Sequence, residues 1–355
     1  MMRDHNNAAS FHSSTQVCVF PMSTLAFAGS LSHLPLARPS LFCRTSTTLQ
    51  RRPRAVQRQC PQSIRAHLVR ANEPHDNSIL ESFAEKIRGE WDGYEGNFDS
   101  GTGAPEAVPD YYIPDQFVEW GIVPLGFEST HSVIVRGTKL YRKFFRVLPS
   151  VSLFADHVDL EEDFQQLDIA AEAGAHVFPD GSFATGPEKV CIKRESLLDK
   201  WPMAEMCLHD PREDVRNALH VKLKFDFEKR ELVDSLRAVV EKWSCVYCDG
   251  ANIEGSSGFV KGWVSDDPSH PSALAGSWKA VSAGDEQIVD RAAPQSVPSK
   301  HLFLPNGIDV AVLEGDGVHV QVGWLVDEAT RVVMRRSFGQ DGSVVSSQRI
   351  VEHRV

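Results

Sequence analysis

The chain has no apolar run long enough to cross a membrane, and it lacks the common catalytic signatures. There is no phosphate-binding loop with its lysine, no GxSxG, no HExxH and no EF-hand loop. Adjacent carboxylates occur at Glu161-Glu162 and Asp266-Asp267, but neighbours on a strand point to opposite faces. The sequence therefore offers no acid–base pair, and we predict a protein that is not an enzyme and needs no cofactor.

The first 72 residues have no lysine and a single acid, Asp4, but contain nine arginines. A segment rich in arginine and serine and poor in acids is typical of an organelle transit peptide. The many Ser and Thr residues favour the chloroplast over the mitochondrion, and LVRA at Leu68–Ala71 is suitable for cleavage. We predict a disordered transit peptide over 1–71 and a location in the chloroplast stroma, with peripheral association at the thylakoid as an open alternative.

Positive charge is scarce in the remainder of the chain. The whole chain carries −11 and the first 72 residues carry +8, so residues 73–355 carry −19. This balance argues against nucleic acid or anionic lipid as the main partner. The negative charge favours a partner protein with a basic surface, or it serves solubility alone. The length of this remainder suits one large or two ordinary domains.

A Gly-x-Trp phrase occurs twice, as Gly89-Glu-Trp91 and as Gly276-Ser-Trp278, each where β-strand patterning begins. This phrase opens many up-and-down barrels of the lipocalin type, since the Trp can plug the narrow end and Gly lets the backbone turn closely beside it. The alternative is two unrelated core tryptophans that follow turns. Two copies predict two barrels, over 78–250 and over 251–355.

Periodicity predicts mostly strands. Ile79–Ile87 reads as a short helix that caps the first barrel, and 217–227 (NALHVKLKFDF) has the strict alternation of a strand. Strands are also predicted at 133–135, 140–147, 151–154, 190–193, 308–313, 318–326, 331–338 and 344–351. The charge run at 156–163 is interpreted as a solvated turn or a helix start. Residues 232–243 fit a helical stripe but are rich in β-branched residues, so their period alone indicates a helix.

Two similar turns support an internal duplication. Pro179, Asp180 and Gly181 form a Pro-Asp-Gly turn after Phe178, and Leu304-Pro-Asn-Gly307 repeats this chemistry in the second half. Proline sets φ at one position of such a turn, and glycine accepts positive φ at another. The distance from the Trp to the turn differs greatly between the halves, so the duplication stays a hypothesis.

Cysteine use indicates no disulfide framework, because a reducing stroma disfavours one. The cysteines beyond the expected transit peptide are Cys191, Cys207, Cys245 and Cys248. Cys245-Val-Tyr-Cys248 has the spacing of a redox motif or of half a zinc site, but no second close pair completes it. We predict no metal site and leave Cys245 and Cys248 as the candidates for a metal or dithiol function.

Several blocks together carry a family resemblance. They are GEWDGYEG, IPDQFVEWGI, KLYRKFFRVLPSV, VFPDGS, CLHDPREDVR and VGWLVDEAT followed by FGQDGSV. Over residues 80–355 the chain resembles a plastid and cyanobacterial family with lipocalin-like domains. The resemblance implies two lipocalin-like (calycin-type) antiparallel β-barrels in tandem, all-β with few short helices. It also implies a strand at 232–243, against the period.

The same resemblance implies a non-enzymatic, chaperone-like assembly factor for the catalytic head (CF1) of the chloroplast ATP synthase, which contacts the β and γ subunits. The motif residues that we single out are Gly89, Trp91, Gly93, Tyr94, Pro179, Asp180, Gly181, Gly276, Trp278, Gly323, Trp324 and Asp327. They are interpreted as barrel plugs and turns, with a part in binding as the alternative. The resemblance transfers no partner-contact residue.

Two other functions stay open. The first is a lipocalin-like carrier or lyase that holds a hydrophobic pigment, a bilin or a lipid in a barrel mouth. The second is an enzyme that uses Cys245 and Cys248. In the favoured reading, exposed barrel surface and acidic loops hold an unassembled subunit until its neighbour arrives.

Overall fold

The computed structural model describes residues 77–150, 159–172, 174–190, 201–251, 262–282, 285–291, 300–315 and 317–355. The expected transit peptide over 1–71 lies outside these residues. The strand expected at 151–154 and all but the first residue of the one expected at 190–193 lie outside them too.

The described residues form two short α-helices and sixteen strands. The helices are α1 (Asn77–Ile87) and α2 (Asp115–Glu119), and short 3-10 turns lie at 110–112, 263–265 and 271–274. The strands are β1 (Gly89–Asp99), β2 (Gly126–Arg136), β3 (Lys139–Val147), β4 (Leu160–Asp168), β5 (His176–Val177), β6 (Phe183–Thr185), β7 (Met203–His209), β8 (Asn217–Asp226), β9 (Glu231–Cys245), β10 (Gly276–Ser282), β11 (Asp285–Arg291), β12 (His301–Phe303), β13 (Ile308–Glu314), β14 (Val318–Asp327), β15 (Thr330–Phe338) and β16 (Val344–Arg354).

The first sheet is antiparallel and follows the chain order, as β4-β3-β2-β1-β9-β8-β7-β6-β5. Its first and last strands, β1 and β9, pair along their length, with Trp91 opposite Trp243. This is the cyclic order of an up-and-down barrel, interrupted between β4 and β5. The sheet therefore curls and has an inner face, which carries Trp91, and an outer face.

The second sheet repeats this plan, in the order β11-β10-β16-β15-β14-β13-β12. Its first and last strands pair as well, with Trp278 opposite Arg354. The interruption lies between β11 and β12. The prediction of an all-β fold with two antiparallel barrel-like units in tandem and few short helices is confirmed.

The two sheets share one apolar core. Alternation in β8 points Leu219, Val221 and Leu223 to the outer face of the first sheet, where they are fully buried. They belong to the same buried cluster as Val320 and Val322 of β14. Each such side chain contributes about 1.5–3 kcal/mol by leaving water. The described residues, which lie between 77 and 355, accordingly form one compact unit, in which β9 ends at Cys245 and β10 begins at Gly276.

Several local predictions can be compared with the elements. Residues 232–243 lie within strand β9, as the resemblance implies and against their helical period. The prediction of a solvated turn at 156–163 is wrong for its described part, since Leu160–Asp163 belongs to β4 and Glu161 forms an ion pair with Arg146. Helix α1 forms as predicted, with Phe83 and Ile87 buried, but Ile79 is exposed. Within the described residues, no helix is both long and apolar enough to span a membrane.

A buried arginine ties the second sheet to the first. Arg336 of β15 is fully buried and donates hydrogen bonds to the carbonyls of Gly174 (2.7 Å) and Pro187 (3.1 Å). Burial lowers the pKa of Arg336 to about 10. We expect Arg336→Met to reduce the free energy of unfolding by about 1–3 kcal/mol, because it leaves buried carbonyls without a donor. Urea denaturation measures this, and an unchanged midpoint would contradict the assigned contacts.

Candidate functional site

The first Gly-x-Trp joins α1 to β1. The indole Nε1 of Trp91 donates to the carbonyl of Ile87 at 2.9 Å, and Gly89 adopts φ +142°. The guanidinium of Arg216 lies 5.5 Å from the Trp91 ring centroid and donates to the carbonyl of Lys86 at 3.0 Å. Trp91 is buried at the end of the inner face that α1 covers.

The second Gly-x-Trp has the same construction. Trp278 Nε1 donates to the carbonyl of Leu274, four residues earlier, at 3.1 Å, and Gly276 adopts φ +116°. Arg354 lies 4.7 Å from the Trp278 ring centroid and donates to the carbonyl of Ala273. Each arginine thus bonds the fifth residue before its tryptophan. This shared geometry supports the duplication and matches a structural role for both phrases.

A polar cluster occupies the centre of the inner face of the first sheet. It consists of His131 on β2, Arg142 on β3, Glu205 and Cys207 on β7, His220 on β8 and Glu241 on β9. We call these residues the inner polar cluster. All of them are buried, and their strands are joined by the registers His131↔Phe144, Glu205↔Lys222 and Cys207↔His220. Successive side chains on a strand point to opposite faces of the sheet. Because the sheet curls, both faces are buried, so the polar residues that alternate with the apolar ones are enclosed as well.

One half of the cluster connects two histidines through a carboxylate. Glu241 Oε1 lies 2.8 Å from His220 Nε2 and 3.3 Å from His131 Nδ1. Cys207 Sγ lies 3.5 Å from His220 Nε2. The ring of His131 stacks on Phe144, with centroids 3.9 Å apart. Two imidazoles and a carboxylate therefore converge, and the Cys207 thiol lies beside one of the imidazoles.

The other half is an ion pair. Arg142 bonds both carboxylate oxygens of Glu205, with Nη2 to Oε2 at 2.8 Å, and Nη2 also donates to Gln165 Oε1 at 3.0 Å. Glu205 Oε1 lies 3.9 Å from His220 Nδ1. Bidentate geometry fixes the carboxylate and joins the two halves of the cluster.

Burial and neighbours set the protonation of the cluster. Burial lowers the pKa of His131 to about 4. Burial also opposes the charged form of His220, but the Cys207 thiol and the Glu241 carboxylate raise the pKa of His220 well above its ordinary value. Burial by itself would raise the pKa of Glu241, but the nearby His220 lowers it. At neutral pH, His131 is neutral, and Glu241 is ionised beside a protonated His220.

Gly93 gives this cluster its space. It lies on β1 directly opposite Glu241, and a Cβ at Gly93 would lie 2.7 Å from the Cβ of Glu241. Any side chain at Gly93 would therefore displace Glu241, whose carboxylate contacts both histidines. Tyr94, the next residue along the strand, points to the outer face.

The second sheet has its own buried ion network. The Nη2 of Arg331 bonds Asp309 at 2.7 and 2.8 Å, and its Nη1 bonds Glu352 at 2.9 Å. Gly323 lies against Arg331 and Asp309 with no room for a side chain. Trp324 points the other way and belongs to the shared core. Gly323-Trp324 is thus placed between a buried ion pair and the core.

Two motif aspartates connect the sheets. Asp180 follows Pro179 in the turn before β6 and pairs with Arg349 of β16 at 2.6 Å, while Gly181 adopts φ +95°. Asp327, at the end of β14, pairs with Arg212 at 3.1 Å. These turns therefore join the halves of the molecule.

Cys245 and Cys248 lie away from the inner polar cluster. Cys245 ends β9, and the backbone N–H of Cys248 donates to Glu90 Oε1 at 2.8 Å. Both cysteines are partly exposed, and neither is among the groups of the described residues that converge like metal ligands, which are His131, His220 and Glu241.

A second candidate site lies on the surface, where the chain leaves the sheet between β1 and β2. Four large apolar side chains are exposed there: Tyr111 (79%), Val118 (63%), Trp120 (56%) and Val123 (62%). They are held in place, because Phe117 beneath them is fully buried and its carbonyl accepts from the Ile122 N–H at 2.8 Å. The segment presents them on an ordered base.

The same segment carries only negative charge. Residues 89–135 contain nine acids and neither lysine nor arginine. Asp110, Asp115 and Glu119 are exposed among the apolar side chains. We call Tyr111, Val118, Trp120 and Val123, with these three acids, the acidic apolar surface. Exposed apolar side chains clustered beside polar ones are typical of an interaction site.

An apolar pocket of about 320 Å³ opens beside this surface. Its lining includes Tyr94, Phe117, Ile122, Leu125 and Val264. Burial raises the pKa of Tyr94, so its hydroxyl stays neutral. The pocket lies on the outer face of the first sheet, and the inner face is filled at its centre by the inner polar cluster.

From the sequence alone, only Cys207 of the inner polar cluster attracts attention, through its place near His209. His209 instead packs on Trp91, with ring centroids 5.1 Å apart. One signal could have found His220, which interrupts the apolar start of β8 and which alternation places on the face opposite the shared core. The meeting of the cluster residues depends on which strands pair, which no local pattern specifies.

Comparisons with known proteins add little. No protein-family model matches the chain, and no curated protein matches it. Among solved structures, it is similar to a protein of unknown function of the DUF3598 family from Nostoc punctiforme, at 15% sequence identity and a TM-score of 0.48. This similarity covers 77% of the present chain and 98% of that protein.

Proposed function

We propose that this chain is a non-enzymatic assembly factor that holds an unassembled subunit, β or γ, of the catalytic head of the chloroplast ATP synthase. The acidic apolar surface is the observation that supports this proposal. The named partner comes from the sequence resemblance, and with it the location in the chloroplast stroma.

Unassembled subunits expose surface that will later be buried between neighbours. Such surface is apolar at its centre and polar at its rim. Trp120 and Tyr111 are residue types that dominate binding energies, because their large rings bury much area at little entropic cost. Asp110, Asp115 and Glu119 select a client whose interface is basic and disfavour an acidic one.

Binding to the purified β and γ subunits tests this proposal. We expect Val118→Ser combined with Trp120→Ser to weaken the affinity for the client by about 30-fold, as for the loss of an aromatic hot spot. Ile288→Ser combined with Val345→Ser is the matched control, since both residues are exposed apolar side chains on the second sheet (66% and 69%). Biolayer interferometry with each purified subunit gives the dissociation constants.

Three results would contradict the proposal. The wild-type chain could fail to bind either subunit, or the control pair could weaken binding as much as the surface pair does. Normal ATP synthase levels in a strain that lacks this protein would also argue against it.

A carrier of a small hydrophobic ligand is the second candidate, favoured by the apolar pocket of about 320 Å³. This volume is at the lower end for small-molecule sites. Leu125→Trp would fill the pocket and leave Trp120 exposed. Loss of bilin or fatty-acid binding in Leu125→Trp, with client binding absent in the wild type, would favour the carrier.

A further inference from the structure

The inner polar cluster has no part in the proposed surface function, yet three of its groups converge as metal ligands do. One ligand atom each of His131, His220 and Glu241 lies within 4.8 Å of the other two. Two imidazoles and a carboxylate form a donor set that suits Zn²⁺ and leaves a fourth position open. Cys207 lies beside His220, with Sγ 3.5 Å from Nε2, but outside this converging set.

The separations are close to those of a tetrahedral site. Zinc bonds of ~2.0–2.1 Å to N or O place neighbouring ligand atoms ~3.3–3.4 Å apart. His131 Nδ1 and Glu241 Oε1 are 3.3 Å apart. His220 Nε2 and Glu241 Oε1, at 2.8 Å, need to separate by about 0.5 Å when an ion replaces the proton between them.

An unpartnered carboxylate oxygen in the cluster points to a missing group. Glu241 Oε2 is buried and makes no hydrogen bond, although ionised carboxylates in protein interiors are normally saturated. A cation at the centre would use the lone pairs of Glu241 that the protein leaves unsatisfied.

A carboxylate lies behind one of the two histidines. Glu205 Oε1 is 3.9 Å from His220 Nδ1, somewhat beyond hydrogen-bond distance, and Arg142 fixes Glu205 with two hydrogen bonds. A carboxylate that accepts from a ligating histidine orients the ring and raises its basicity, so a small shift of His220 on metal binding would bring Glu205 into this role.

The charge of the site also favours a cation. The Glu241 carboxylate would neutralise one of the two charges of a divalent ion bound by two neutral imidazoles, and Arg142 already neutralises Glu205. Binding would release the proton that His220 shares with Glu241.

We propose that His131, His220 and Glu241 form a zinc site on the inner face of the first sheet. The ion would bridge β2, β8 and β9, strands that are far apart in sequence. This separates the metal function from Cys245 and Cys248.

The full-length chain, stripped with a chelator under reducing conditions, is titrated with Zn²⁺ and with Co²⁺. We expect one ion per chain, a rise in the thermal midpoint with added Zn²⁺, and visible absorption bands of protein-bound Co²⁺. Glu205→Gln should weaken affinity by about 10–100-fold, and His131→Gln or His220→Gln by more.

His209→Gln is the matched control, because His209 is another buried histidine on the same face of β7 and should leave metal binding unchanged. The wild-type titration needs no variant to fold, so it decides the question even if the variants are unstable. Absence of Zn²⁺ and Co²⁺ binding by the wild type would overturn the proposal. So would a Zn²⁺ affinity that is unchanged in both His131→Gln and His220→Gln, or that is lost in Cys245→Ser combined with Cys248→Ser.

Discussion

Arg331→Met is expected to lower the free energy of unfolding by about 3–5 kcal/mol, the usual cost of removing one partner from a buried ion pair. Arg331 is 2% exposed and lies between Asp309 and Glu352, which are equally buried. Methionine fills similar volume but leaves Asp309 with His301, and Glu352 with Arg291, as their ion-pair partners among the described residues. The cost therefore comes from uncompensated charge and not from a cavity. Guanidinium denaturation followed by circular dichroism measures it.

Arg335→Met on the same face of the same strand is the control for Arg331→Met. Arg335 is only half-buried and donates to the neutral Gln321, at 2.8 Å. Its replacement should cost no more than about 1.5 kcal/mol. Asp309→Asn added to Arg331→Met should restore part of the loss, because it removes one of the stranded charges. If the two arginine variants were equally stable, or if Asp309→Asn made the loss larger, the ionic explanation would be wrong.

Trp91→Ala and Trp278→Ala are each expected to cost about 3–5 kcal/mol, as for other buried aromatic truncations. The two residues are 1% and 0% exposed. In each, the indole donates to the carbonyl four residues earlier, and an arginine lies over the ring: Arg216 over Trp91 and Arg354 over Trp278. Because the two sheets share one core, we expect either substitution to lower a single cooperative transition for the whole chain. Thermal unfolding followed separately by near-UV and far-UV circular dichroism tests this.

Trp120→Ala serves as the stability control for the tryptophan pair, since Trp120 is exposed and should change the free energy of unfolding by at most about 0.5 kcal/mol. Two separate transitions, with each buried tryptophan affecting only one of them, would show that the sheets fold independently. That outcome would contradict the continuous core as a source of cooperativity.

Local sequence patterns by themselves were sufficient for the elements that depend on near neighbours. Helix α1, the alternation of β8 and the meander β13–β16 all follow from periods and turn residues within a few positions, and both Gly-x-Trp phrases mark the start of a sheet. Turn chemistry was equally readable at Gly181 and Gly307, which both have positive φ. These features are determined locally because backbone conformation at a turn or a cap depends on the residue there.

Only the tertiary structure decided which residues lie on the enclosed inner face of the first sheet. Residues 232–243 have a helical period, but pairing with β1 and β8 makes them a strand, since ladder hydrogen bonds and burial on two faces outweigh a weak local preference. His220 and Lys222 look like the solvent side of β8, but the sheet curls and encloses them. The inner polar cluster brings His131 within reach of Glu241, 110 positions later. This contact cannot be predicted from the sequence, because it forms only when β1 pairs with β9 and closes the sheet.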